Sequence, residues 1–344
     1  MTNETLAQYA NLALYSAMAV LTVAMLGYAL YLAALVPHRD RKAALAAEAT
    51  RSRDEELVGA GTGAGMPGGP VAGPGSPSAA SPAASAAADG EADDVPLRAR
   101  KAAGIAGTMT WLTGFLLVAS IALRGASVHR WPLGNMFEFA VFGSMFTVLA
   151  FSIWSTKRDL RWLGLLVTGP VLLTLGLAIT VWYTEAAELL PSLKSYWLVI
   201  HVTVATLSVG IFAIGASAAL IYLLKDSFER SGRASVLDRF PPARSIERLS
   251  YGLHVVAFPL WTFTVIAGAI WARQAWGSYW NWDPKEVWTF VIWVVYAAYL
   301  HARATSGWSR QGANYIALAG WACIIINYTV VNVFFVSQHS YSGL

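Results

Sequence analysis

Cysteine is almost missing from this chain: Cys323 stands alone among 344 residues and lies in an apolar run, which excludes a disulfide framework. Charge is scarce as well. Asp, Glu, Lys and Arg make up 13% of the residues against 56% that are apolar, where a soluble domain carries about 25% charged residues. That composition excludes a water-soluble globule of this length. There is no basic cluster interleaved with readout residues, so nucleic acid is excluded as a partner. A Ser-His-Asp set, a phosphate-binding loop and zinc-ligand spacing are also lacking, and with them the chemistries those patterns serve. What the chain does have is apolar runs, several longer than the roughly 18 residues that cross a bilayer.

Those runs predict an all-α integral membrane protein of about eight transmembrane helices: Leu12–Val36, Ala103–Leu123, Phe137–Ser155, Leu163–Tyr183, Tyr196–Leu224, Leu249–Ile270, Val287–Ala302 and Ala313–Phe335. The first run is too long, and its flanks too unlike a cleavage site, for a signal peptide, so it reads as a retained helix. Nineteen of the 24 Lys and Arg residues fall in one set of alternating loops, and five (Arg124, Arg130, Lys194, Arg273 and Lys285) in the other. The positive-inside rule then puts both termini and the loops at 124–136, 184–195 and 271–286 on the outer face of a cell membrane. Between the first two helices, 28 of the 32 residues of Gly59–Gly90 are Gly, Ala, Pro or Ser. Such a segment buries too little apolar surface to offset its ordering entropy, and a disordered cytoplasmic linker is expected there. The organisation read from sequence is thus a helix at 1–36, a linker at 37–102 and a seven-helix body at 103–344.

Seven of the fifteen tryptophans lie between Trp261 and Trp293. An interfacial belt would scatter such rings along many helix ends. Here five aromatic rings crowd thirteen residues of one loop, from Trp276 to Trp288, beside Gly277, Asp283, Pro284, Lys285 and Glu286. The pattern suits an aromatic platform for a large flat ligand. Asp283 as N-cap, Pro284 at the first helical position and Glu286 at the positive end of the helix dipole would start the next helix. Capping explains Asp283 and Pro284, but not the tryptophans.

The run from Trp276 to Trp288, WGSYWNWDPKEVW, resembles the tryptophan-rich WWD signature of heme-handling proteins, and specifically the CcsA/ResC family of cytochrome c biogenesis, called CcsB in some bacteria. Further landmarks resemble that family in the same order: Trp131–Glu138, Tyr196–Val202 with His201, Tyr299–Arg303 with His301, and Gln338–Gly343 with His339 and Tyr341. The resemblance covers about residues 103–344. It implies a membrane subunit of a system II cytochrome c synthase, which binds heme b between two histidines and presents it outside for thioether attachment to the CxxCH motif of an apocytochrome c. It implies holocytochrome c synthase (heme lyase) activity only in complex with a ResB-type membrane partner. Thiol reductants would come indirectly from another protein, because Cys323 is alone.

The residue-level reading agrees. A flat ligand with a central iron needs axial donors, and imidazole is the commonest protein ligand of heme iron. Histidine within a span is costly and by default functional. His201, about 8 Å below the start of its helix at 1.5 Å per residue, and His339, after the last helix, would lie at the level of Trp276, Trp280, Trp282, Asp283 and Trp288. The resemblance makes His201 and His339 the external axial ligands, and His301 a membrane-embedded ligand that receives heme with a histidine of the partner. His254 departs from the family pattern and reads either as a competing ligand or as a hydrogen-bonded core residue. His129 reads as a hand-over residue or an interfacial one, and His38 as a cytoplasmic flank. Arg273 and Lys285 could pair with heme propionates, Arg303 reads as a positive-inside anchor ahead of a propionate partner, and Glu138 could shape the site. There is no CxxCH, so the chain does not carry covalent heme itself. Two rivals remain: a heme exporter or chaperone without ligase activity, and a bis-histidine electron-transfer cytochrome.

Overall fold

The structure is a computed structural model that describes residues 3–61, 95–187, 193–232 and 236–339. Among them eight helices are long and apolar enough to cross a membrane. They are α1 (Glu4–Gly61, apolar over Glu4–Leu35), α2 (Leu97–Val128), α3 (Met136–Lys157), α4 (Gly164–Thr180, led in by a 3-10 turn), α5 (Tyr196–Ser231), α6 (Ala243–Trp276), α7 (Pro284–Ala304) and α8 (Arg310–Tyr328). A short α9 (Val330–Phe334) follows a break at Thr329, where a single last helix to Phe335 is expected from sequence. No strand occurs among the described residues, so the all-α membrane class holds.

The helix boundaries follow local chemistry. Asn135, Ser195 and Ser309 cap α3, α5 and α8 by accepting backbone N–H bonds with their side chains. Asp283 caps α7 with Pro284 inside its first turn, as the loop sequence implies, and Glu286 completes a reciprocal capping box. Gly277 ends α6 at φ 84°, a left-handed turn that glycine adopts without a Cβ penalty.

By contacts the chain divides into two units, Met1–Ala29 with Ala103–Leu344, and Leu30–Ala102. In the second unit, α1 continues as far as Gly61, into the stretch read as linker, because Ala, Glu and Arg at 43–57 are good helix formers. Most of the low-complexity segment, residues 62–94, lies outside the described residues, as do 188–192 in one predicted external loop and 340–344 at the C-terminal landmark. In the first unit the opening helix is not alone. The Ser120 hydroxyl donates to Ala10 O at 2.8 Å, and the Tyr28 ring lies where a side chain at Gly164 would be. α5 is the hub, with α3, α6 and α8 all packed against it. Consecutive long helices alternate in direction, so the starts of α3, α5 and α7 and the end of α6 gather at one end of the bundle. The tryptophan loop lies there, and so does the site.

Candidate functional site

His201 occupies the second turn of α5. Its Nδ1–H donates to Thr264 O on α6 at 2.9 Å, which orients the ring and makes Nε2 the nitrogen left for a ligand. Gly268 makes the close approach possible: a Cβ there would stand 2.7 Å from His201 Cε1. The imidazole stacks on Trp271 with centroids 6.0 Å apart and planes 16° apart. His339 meets the same indole edge-on at 5.6 Å and Trp276 at 4.5 Å. Trp271 itself is 1% exposed. Two histidines 138 positions apart in sequence are therefore brought to one buried indole.

His339 is held from below. Its Nδ1 lies 2.8 Å from Asp283 Oδ2, and the Gln338 N–H donates to Asp283 Oδ1 at 2.9 Å. Burial alone would push the Asp283 carboxyl up, but the hydrogen bonds from His339, Gln338 N–H and Lys285 N–H outweigh it and hold its pKa below the ordinary value. Asp283 thus caps α7 and orients a histidine at the same time, a carboxylate–histidine pairing of the kind found behind metal-bound imidazoles.

Both histidines line a cavity of about 480 Å³ together with Trp271, Trp280, Lys285 and Glu286, a volume in the range of ligand pockets, roughly 300–1,000 Å³. Four of its lining residues carry buried polar atoms with no partner among the described residues: Ser144 Oγ, Glu286 Oε1, Asn327 Oδ1 and Asn332 Oδ1. Buried polar groups are ordinarily satisfied, so these four set this cavity wall apart from an ordinary core. Lys285 lines the wall with its Nζ 3.3 Å from Asn327 O. A flat aromatic group with carboxylate arms and an iron centre fits this set: indole faces, two imidazoles, one ammonium and orphaned amides.

The other sequence-picked residues are placed apart from one another. Trp276 backs His339 without lining the cavity, and Trp282, 75% exposed and left-handed at φ 58°, points away from it. Trp288 is not among the lining residues either. Arg273 donates to Gly277 O and caps the end of α6. His129 is exposed at φ 51° in the turn after α2. Glu138 is buried and shared by Arg124 (2.9 Å) and Arg130 (3.0 Å), whose remaining donors reach Thr184 O and Ala187 O. It clasps the 184–187 segment to the start of α3, and does not itself line the cavity.

At the opposite end, His301 is exposed on the last turn of α7, with its carbonyl accepting from Thr305. Arg303 pairs with buried Glu247 at 2.6 Å and covers the Tyr251 ring, so its guanidinium already has a carboxylate. His254 is fully buried between Phe212, Tyr296 and Tyr299, with Nδ1–H donating to Ser250 O at 2.7 Å. It does not line the cavity. The His38 side chain lies outside the described residues.

Sequence reasoning missed Trp271 as the shared indole and Glu286, Asn327 and Asn332 as lining groups. The asparagines were legible in principle, because an amide in an apolar run needs a reason. Trp271 gave no such signal, since only folding reveals which of the seven tryptophans meets both histidines.

A family model described as cytochrome C assembly protein matches residues 131–339. Among curated proteins, the cytochrome c biogenesis protein CcsA of Guillardia theta is 34% identical over 259 residues, covering 67% of this chain and 85% of its own length. The CcsA protein of Chlamydomonas reinhardtii is 32% identical over 247 residues, 70% of this chain and 69% of its own. That of Gloeothece citriformis is 29% identical over 294 residues, covering 71% and 88%. The matched family segment runs from the exposed Trp131 to His339 and so contains the whole cavity wall.

Proposed function

The chain belongs to the cytochrome c assembly protein family and serves cytochrome c biogenesis, and from that premise we propose that it binds heme at the tryptophan end of the bundle and offers it to an apocytochrome. The observation that carries this reading is the convergence of His201 and His339 on Trp271 at the head of a cavity lined by orphaned polar atoms. Heme supplies the two vinyl groups to which the CxxCH thiols add. In that addition each S–H crosses a C=C bond, so one S–C bond forms, the proton ends on the neighbouring carbon, and no oxidant is consumed.

The chain's own contribution is placement. His201, fixed by Thr264 O, and His339, fixed by Asp283, hold two imidazoles whose tautomers and tilt are set before a ligand arrives. Trp271 and Trp280 exclude water and present apolar faces. Lys285, Asn327 and Asn332 are positioned for propionates. No general acid or base is assigned.

In this reading the tryptophan end faces outward from the plasma membrane, as the nineteen-to-five bias in basic residues favours. The system II partner is a membrane protein of the ResB type, docked so that exposed His301 shares a ligand with it on the heme's way in. A heme exporter lacking ligase activity is the second reading. It predicts bound heme but no holocytochrome c when the chain is expressed with that partner alone.

The test is an absorption spectrum of the purified protein. His201→Ala and His339→Ala are each expected to remove or loosen one bis-histidine heme, with exogenous imidazole partly restoring it. Wild-type heme content in both variants would end the proposal.

A further inference from the structure

The cavity does not stop at the level of the two histidines. On α5 its wall continues from His201 through Ala213 to Ser217, about 24 Å along the helix at 1.5 Å per residue and most of a hydrocarbon core about 30 Å thick. α4 adds Leu166, Leu173 and Leu177 to the same wall, and α8 adds Ile325. Three of these face the cavity and the surroundings at once: Leu173 is 65% exposed, Leu177 38% and Ile325 46%. Side chains with both aspects form the rim of an opening. α4 packs chiefly on α3, while α8 packs on α5 and α7, so the gap between α4 and α8 is a slot floored by α5.

Between α5, α6 and α7, Phe212 stacks on Tyr296 at 3.9 Å, and His254 and Tyr299 fill the space beside them. Nothing as wide as a porphyrin passes there without unpacking four fully buried or nearly fully buried rings. The slot instead follows α5 from membrane depth toward the imidazoles.

We infer that this slot between α4 and α8 admits heme sideways from the hydrocarbon interior to His201 and His339. The inference rests on the heme-binding reading above. Its walls suit the passenger: leucines and alanines at depth for the porphyrin body, Gly143 and Ala213 leaving width, and the unpartnered Ser144 hydroxyl below Asn327 and Asn332 for the carboxylates. Carboxylates are costly in hydrocarbon, and a polar rung along the wall lowers that cost. A leucine and an isoleucine at the rim match a bilayer outside it.

The experiment closes the slot chemically. In a Cys323→Ala background, Leu173→Cys is alkylated with a bulky maleimide, and the protein is mixed with vesicles carrying heme. The control is Leu112→Cys, 40% exposed on α2 and away from the cavity. Alkylation before mixing is expected to slow the appearance of the His201-dependent heme band at least tenfold at Leu173→Cys and not at Leu112→Cys. Alkylation after loading is expected to leave the band unchanged, which shows that the site itself survives. Equal uptake by the two alkylated proteins overturns the slot, whether because an acyl chain or a partner helix fills it or because heme arrives elsewhere. Absence of any His201-dependent band in the unalkylated protein overturns the heme reading instead.

Discussion

The two ends of this bundle are built from the same parts and differ in one respect. At the tryptophan end, His201 donates Nδ1–H to a carbonyl of α6, and Gly268 makes room for its ring. At the other end, His254 donates Nδ1–H to Ser250 O, and Gly215 makes room for its ring, with a Cβ there also falling 2.7 Å from Cε1. Each end also carries a buried glutamate paired with arginine, Glu138 with Arg124 and Arg130, and Glu247 with Arg303. What differs is the space beyond the ring. His201 faces a cavity of about 480 Å³, whereas His254 Nε2 is buried against aromatic rings with no partner among the described residues. An oriented imidazole is therefore not by itself a candidate ligand; the open space beside His201 is what makes it one.

The largest effect should come from the glutamates. Removing one charge from a buried pair leaves the other uncompensated and costs about 3–5 kcal/mol. Glu138→Gln and Glu247→Gln are both expected to lower thermal stability in detergent by that order. Only Glu138→Gln should also reduce heme retention, because it releases the 184–187 segment beside the cavity. Equal loss of heme in both variants would show that the two ends are not separable.

The glycines give the next largest effect and the sharpest contrast. Gly268→Ala and Gly215→Ala introduce the same methyl at the same distance from an imidazole, an overpacking worth about 1–3 kcal/mol. Similar losses of stability are expected. Gly268→Ala should also displace His201 and cut heme occupancy about tenfold or more, while Gly215→Ala leaves the spectrum of bound heme intact. Retention of full occupancy in Gly268→Ala would mean that His201 does not need its present position.

Much of this contrast was legible beforehand. The eight spans follow from run length alone, and the N-cap at Asp283 with Pro284 in the first turn from a tetrapeptide. His201 and His339 were picked by order and depth, and the fold does bring them together. Depth could not separate His254 from a ligand, because sequence reports how far along a helix a residue lies and not which way it faces. The same limit hid Trp271, buried at the centre, and favoured Trp282 and Trp288, which stand off the cavity wall. Helix ends were read short wherever amphipathic turns continue past the apolar stretch, as at both ends of α2 and at the start of α6.

The smallest expected effect tests Asp283. His201 hydrogen-bonds to a neutral carbonyl and His339 to a carboxylate, so the two imidazoles are unequal. A carboxylate behind the ring raises ligand basicity and favours the ferric over the ferrous iron. Asp283→Asn keeps the shape and an acceptor for the ring while removing the charge. The variant is expected to keep its heme and its low-spin spectrum but to titrate at a higher midpoint potential in a potentiometric experiment. A purely structural role in capping α7 would lower stability and leave the potential where it was. His254 offers no matching test, since its acceptor is the main-chain oxygen of Ser250, which every substitution keeps, and its ring lines no part of the cavity.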